Sequence, residues 1–136
     1  MNTGNILKKA GLRATPQRKM IYEILTKLGH SSIDEIISKV KQQNPEIIIS
    51  TVYRIIDSFC VAGLLSKMNH PSGKCYYDST LSEHHHVFTN NEVIDYDDPE
   101  LTEMIKNHLN RDFFNDLYIE KISINIIASS KKRVEG

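Results

Sequence analysis

The sequence predicts an α+β chain: an N-terminal winged helix-turn-helix, then a small C-terminal α/β module of three strands and a helix. Three observations predict it. Four helix-periodic apolar stripes precede residue 64, each closed by glycine or by Asn-Pro; two short strand-like runs then flank the turn His70-Pro71-Ser72-Gly73; and beyond residue 80 strand-like alternation is interrupted by one helical segment. The two domains are expected at 1–79 and 80–136.

The first helix is expected over residues 5–10, with Ile6, Leu7, Lys8 and Lys9, and stops at Gly11. Thr15-Pro16-Gln17-Arg18 opens the second, since Thr is a good N-cap and Pro at the first position lacks only an N–H that is not needed there. Its stripe is Met20, Ile21, Ile24, Leu25 and Leu28, and Gly29 ends it. Ser32-Ile33-Asp34-Glu35 is a capping box for the third helix, whose inward face is Ile33, Ile36, Ile37 and Val40 before Asn44-Pro45. Ser50 is expected to cap a fourth helix running to about Ala62, with Val52, Ile55, Ile56, Phe59 and Cys60 inward. Strands follow at Leu64–Asn69 and Lys74–Asp78. In the second module the strands are His84–Asn90, Glu92–Asp97 and Tyr118–Ala128, the last with Ile122, Ile124 and Ile126 inward. Between the last two, Asp98 caps a helix with Pro99 first and Leu101, Met104, Ile105 and Leu109 as its stripe. The tail Lys131-Lys132-Arg133 reads as solvated.

The 136 residues, 40% hydrophobic and 25% charged, describe a soluble globular chain and not a disordered one. No apolar run reaches the roughly 20 residues a membrane span needs. Residues 1–5 lack the pattern of a secretory signal, so a cytoplasmic location is expected. Cys60 and Cys75 are the only cysteines and form no Cys-x-x-Cys pair, which excludes a disulfide framework and a cysteine-based zinc site.

The formal net charge of zero conceals a split. Residues 1–78 hold 11 Lys+Arg against 6 Asp+Glu, and the remainder holds 6 against 11. A basic half joined to an acidic half suggests that the first meets a polyanion. In a winged helix the fourth helix would enter the major groove by its N-terminal turns. Ser50, Thr51, Tyr53 and Arg54 would lie there. Lys8, Lys9, Arg13, Arg18 and Lys19 suit backbone phosphates, and Lys67 and Lys74 lie on the wing. Helices of this periodicity also occur in protein–protein adaptors, so double-stranded operator DNA is one reading of them. A three-stranded sheet with one helix is thin for independent stability and gains by pairing with a second copy, as a reader of two-fold operators does.

Successive side chains of a strand point to opposite faces, so His84 and His86 share one face and His85 points the other way. Asp78, Asp95 and the interdomain His30 complete a set of five nitrogen and oxygen donors without a thiolate. Such a set suits Fe(II), Mn(II) or Zn(II) at five or six coordination better than a structural tetrahedral zinc.

Residues 11–18 (GLRATPQR), His30, residues 50–54 (STVYR), Gly63-Leu64-Leu65 and His84-His85-His86 together resemble the Fur family of metalloregulators, in order and along essentially the whole chain. The resemblance implies a dimeric winged-helix repressor whose regulatory metal, Fe(II) or Mn(II) with Zn(II) as a substitute, is held by His30, Asp78, His84, His86 and Asp95. Aspartate at both carboxylate positions is closest to the peroxide-sensing PerR branch. That branch implies release of DNA after metal-catalysed oxidation of His30 or His84; the alternative is an iron- or zinc-responsive Fur-type repressor without peroxide chemistry. A second metal site of some relatives would fall on Glu83, His85, Glu103 and Glu120. The chain departs from the family in one respect. The four-cysteine structural zinc site is missing, because Thr89-Asn90-Asn91-Glu92 and Ala128-Ser129-Ser130-Lys131-Lys132 replace its two cysteine pairs.

Two His and a carboxylate also describe non-haem iron oxygenases. No motif supplies a substrate cleft or a general acid or base, so no enzyme is expected. A winged-helix protein that binds DNA constitutively, with vestigial histidines, is a further alternative.

Overall fold

The computed structural model describes residues 2–80 and 84–130, and the chain divides into two compact units, Met1–Leu81 and Ser82–Gly136. Glu83 and the Lys131-Lys132-Arg133 tail lie outside the described residues. The α+β class is the one the sequence predicts, and so is the order of elements apart from one added strand.

The first unit runs α1 (Thr3–Lys9), α2 (Pro16–Leu28), β1 (His30–Ser32), α3 (Ile33–Gln43), α4 (Ile49–Val61), β2 (Ser66–Asn69) and β3 (Cys75–Asp78). The caps act as expected at two helices: Thr15 Oγ1 accepts from the Arg18 N–H and Ser32 Oγ from the Glu35 N–H. Leu7, Ile21, Ile36, Val40, Val52, Ile56 and Phe59 are fully buried and bind the four helices to one another. Tyr22 meets Phe59 edge-on, with ring centroids 5.7 Å apart. Each such side chain contributes about 1.5–3 kcal/mol by leaving water.

Most element ends shift by one or two residues, and three differences from the sequence reading are larger. His30-Ser31-Ser32 is a strand and not a loop; it pairs antiparallel with β3, so the wing sheet has the order β1-β3-β2. A three-residue strand has no alternation to read, and its partner lies more than 40 positions away. Gly29, at φ +73°, supplies the left-handed turn that redirects the chain from α2 into it. The second difference is that α4 starts at Ile49, with Ile48 and not Ser50 as its N-cap, and no side chain caps it.

The second unit holds β4 (His85–Phe88), β5 (Val93–Tyr96), α5 (Pro99–His108) and β6 (Asn125–Ile127), in the sheet order β5-β4-β6. β5 is antiparallel to β4 and β6 parallel to it. Asp98 caps α5 through Oδ1 to the Leu101 N–H, with Pro99 first. The third difference lies here. The strand expected over Tyr118–Ala128 shrinks to three residues, and Ile126 faces solvent at 37% exposure instead of a core. Of the alternating isoleucines, Ile122 and Ile124 are half-buried and Ile126 is not.

Candidate metal centre

The pairing of β4 with β5 sets His86 directly opposite Asp95. Paired residues share a face of the sheet, and His84, two positions before His86, lies on that face too. The imidazoles of His84 and His86 stand 4.6 Å apart at 68°. Asp95 Oδ1 is 3.5 Å from His84 Nε2 and 3.7 Å from His86 Nε2. Both histidines are buried and Asp95 is half exposed, so the cluster opens to solvent on its carboxylate side. One candidate ligand atom from each of the three residues lies within 4.8 Å of the others.

Two donors held at about 2.1 Å from one ion at a tetrahedral angle are about 3.4 Å apart. The observed separations of 3.5 and 3.7 Å fit that spacing. Two imidazoles and a carboxylate, without a thiolate, fit Fe(II), Mn(II) or Zn(II).

His85 is occupied differently. It is buried, its Nδ1 accepts from the Ile124 N–H at 3.1 Å, and its Nε2 lies 2.6 Å from Thr102 Oγ1. With Nδ1 accepting, the ring proton is on Nε2 and is donated to Thr102, whose hydroxyl in turn donates to the Asp98 carbonyl at 3.3 Å. This directed chain ties β4 to α5 and to the segment before β6, and so fixes the strand on which the two flanking histidines sit. Of the expected second metal site, His85 has both nitrogens engaged in this way, Glu103 and Glu120 are exposed, and Glu83 is not described. Thr102 was not a candidate in the sequence; its signal is a polar residue adjoining the apolar stripe of α5.

In the first unit the other two expected ligands form a second register pair, His30 opposite Asp78 in β1 and β3. Asp78 is buried at 2% exposure and accepts from the Thr80 N–H at 2.8 Å. Ser79 fastens this corner to the end of α2, its N–H donating to the Gly29 carbonyl at 2.9 Å and its hydroxyl lying 3.2 Å from the Leu25 carbonyl.

Five of the expected basic residues line hollows beside α4. Arg13, Arg18, Thr51 and Arg54 line one hollow of about 350 Å³, with Arg18 Nη1 donating to the Arg13 carbonyl at 3.2 Å. Tyr53, Lys67 and Lys74 line another, of about 500 Å³, between α4, the start of α3 and the wing, together with the carboxylates of Asp34 and Asp57. Lys8, Lys9, Lys19 and Ser50 are exposed and line neither. The two segments that lack the cysteine pairs also come together, around a hollow of about 360 Å³ lined by residues 89–92 and 128–130. The Ala128 N–H donates to the Phe88 carbonyl at 2.9 Å, so backbone hydrogen bonding joins them where thiolates are absent.

The family model described as Ferric uptake regulator family matches residues 9–125. The chain is 30% identical to the Peroxide operon regulator of Bacillus subtilis (strain 168) over 101 residues, covering 72% of this chain and 70% of that one. It is 36% identical to the Ferric uptake regulation protein of Shigella flexneri over 81 residues, 58% of this chain and 55% of that protein. Among solved structures, the ferric uptake regulator of Vibrio cholerae superposes with a TM-score of 0.78 at 27% identity, over 95% of this chain and 100% of the other.

Proposed function

The chain belongs to the Ferric uptake regulator family, and from that premise we propose that it is an iron- or zinc-responsive repressor that binds operator DNA as a homodimer. It is a non-catalytic, metal-binding regulator of transcription. The observation that carries the proposal is the convergence of His84, His86 and Asp95 on one face of one sheet. His30 and Asp78 are the expected further donors, and Fe(II), Mn(II) or Zn(II) the expected ion. The bound ion supplies a positive centre that holds these side chains in one arrangement. Donors drawn from both units would make the ion bind a DNA-competent conformer better than others, shifting the population by that difference.

Arg13, Arg18, Arg54, Lys67 and Lys74 serve as the phosphate-facing residues, with Ser50, Thr51 and Tyr53 at the start of the reading helix and Lys19 beside it. The homodimer is supported by apolar surface on the second unit. Phe113, Leu117, Tyr118 and Ile127 are 60–87% exposed, apolar surface that a second copy would cover. Among the described residues no helix is long and apolar enough to cross a membrane.

Duplexes selected from a randomised library by the Mn(II)-loaded protein provide the test. Affinity for them should rise with Fe(II), Mn(II) or Zn(II) over the apo form; equal affinity in all forms would reject metal control. A second reading, peroxide sensing, is favoured by the likeness to the Bacillus regulator and by aspartate at both carboxylate positions. It requires peroxide to add one oxygen atom to a peptide containing His30 or His84 in the Fe(II) form alone. The same oxidation with Mn(II), or none with Fe(II), removes that reading and leaves the first intact.

A further inference from the structure

We infer that Ile48 and Ile49, at the start of α4, are specificity-determining residues that pack against thymine methyl groups in the major groove; this rests on the DNA-binding reading above. Ile47 is buried at 3% exposure, but Ile48 is 66% exposed and Ile49 45%. Isolated exposed apolar residues are ordinary. This pair is different because of where it stands.

Isoleucine is among the poorest N-cap residues, whereas Ser, Thr, Asp or Asn in that position satisfies an open backbone N–H. The other four described helices use such residues: Asn2, Thr15, Ser32 and Asp98 each accept a first-turn N–H. At α4 the chain places Ile48 there instead, with no side-chain cap. The helix thus forgoes a stabilising cap and also leaves two β-branched side chains in water. No side-chain cap offsets these costs at this end of the helix. A local rule broken without such an offset is the mark of a functional surface.

Charge identifies the occupant. Arg13, Arg18 and Arg54 line the hollow on one flank of α4, while on the other Lys67 and Lys74 are balanced by Asp34 and Asp57. An apolar tip on a helix whose one flank carries three arginines matches a polyanion that offers an apolar feature beside its charged strand. The major groove of B-DNA admits a helix between two rows of phosphates, and the apolar group on its floor is the 5-methyl of thymine. Arg54 and Thr51 would contact phosphates or polar base edges, while the isoleucines favour thymine over cytosine at the adjoining positions.

The test uses the full Mn(II)-loaded chain and duplexes it selects from a randomised library. Each thymine of the selected sequence is replaced in turn by deoxyuridine, which removes the methyl alone. The wild type should lose about fourfold in affinity at one or two positions of each half-site, the value of burying one methyl-sized group. The double variant Ile48→Ser, Ile49→Ser should bind thymine and uracil equally there. It should also melt at or above the wild-type midpoint, because serine can cap the helix, and that separates lost reading from lost folding. Wild-type binding indifferent to the methyl, or the same loss in the variant, overturns the inference while the DNA-binding function stands. A library with no enriched duplex overturns both.

Discussion

Asp95 Oδ1 lies within 3.7 Å of both His84 Nε2 and His86 Nε2, and its residue stands opposite His86 in the pairing of β4 with β5. The His86–Asp95 spacing is therefore fixed by strand register, with His84 immediately before the strand. A one-residue slip would turn both imidazoles to the opposite face. The first unit repeats the device, with His30 opposite Asp78 in β1 and β3.

Removing one member of the cluster should therefore abolish tight metal binding without unfolding the chain. His86→Ala or Asp95→Ala is expected to weaken Mn(II) affinity by on the order of 100-fold or more, given that even outer partners of metal ligands are worth 10–100-fold. Titration calorimetry reads the affinity, and a urea melt in chelator checks that the fold survives. Retained wild-type affinity in both variants would show that the ion sits elsewhere.

Much of this was legible in the chain itself. Alternation placed His84 and His86 on one face, and Thr15-Pro16, Ser32 and Asp98-Pro99 marked helix starts that the structure keeps. What was not legible is non-local. β1 exists because β3 accepts it, and nothing within His30-Ser31-Ser32 announces a strand. The role of His85 depends on Thr102 and Ile124, 17 and 39 positions away. The expected last strand failed for a related reason, since an isoleucine alternation states that one face is apolar without stating what covers it. At α4 the local signal itself misled. Ser50 is the better cap by chemistry, yet Ile48 occupies the position.

Thr102→Val tests the chain of hydrogen bonds through His85. Valine keeps the shape and removes the acceptor for His85 Nε2, leaving a buried donor unpaired. The expected loss is about 1–3 kcal/mol of unfolding free energy, measured by urea denaturation. Metal affinity should fall less than in the His86 variant, because Thr102 supports the strand and supplies no ligand. A variant as stable as wild type would mean that the His85 contact contributes nothing net.

The cap of α5 should report itself in a titration. The Leu101 N–H, and after it the Tyr96 hydroxyl at 2.7 Å, hold the Asp98 carboxyl below its ordinary value of 3.8, while the same bond raises the Tyr96 phenol. A carboxyl whose folded value is lowered adds stability at pH above 3.8 and loses it as pH falls through the lowered value. By NMR, Asp98 should titrate below 3.8 in the wild type and move upward in Tyr96→Phe. In Asp98→Asn, which keeps an acceptor but cannot titrate, the melting temperature should change less across this acid range. An Asp98 carboxyl that titrates at or above its ordinary value would contradict the hydrogen bonding described.

Arg18 and Arg54 line the same hollow beside α4, and Arg18 is braced by the Arg13 carbonyl. If both contact phosphates, each neutralised phosphate releases condensed counterions, and binding weakens steeply with salt. Replacing either by alanine should then reduce the slope of log affinity against log salt by about 1, measured on duplexes selected by the wild-type protein. The two can be told apart by sequence preference. Arg18, on α2, is expected to weaken all duplexes alike, as a residue that touches only the backbone does. Arg54 projects from the reading helix, and a base-edge contact would add about 1–3 kcal/mol of discrimination at one position. An unchanged slope in both variants would place the phosphate path away from this hollow and shift attention to Lys67 and Lys74 across the helix.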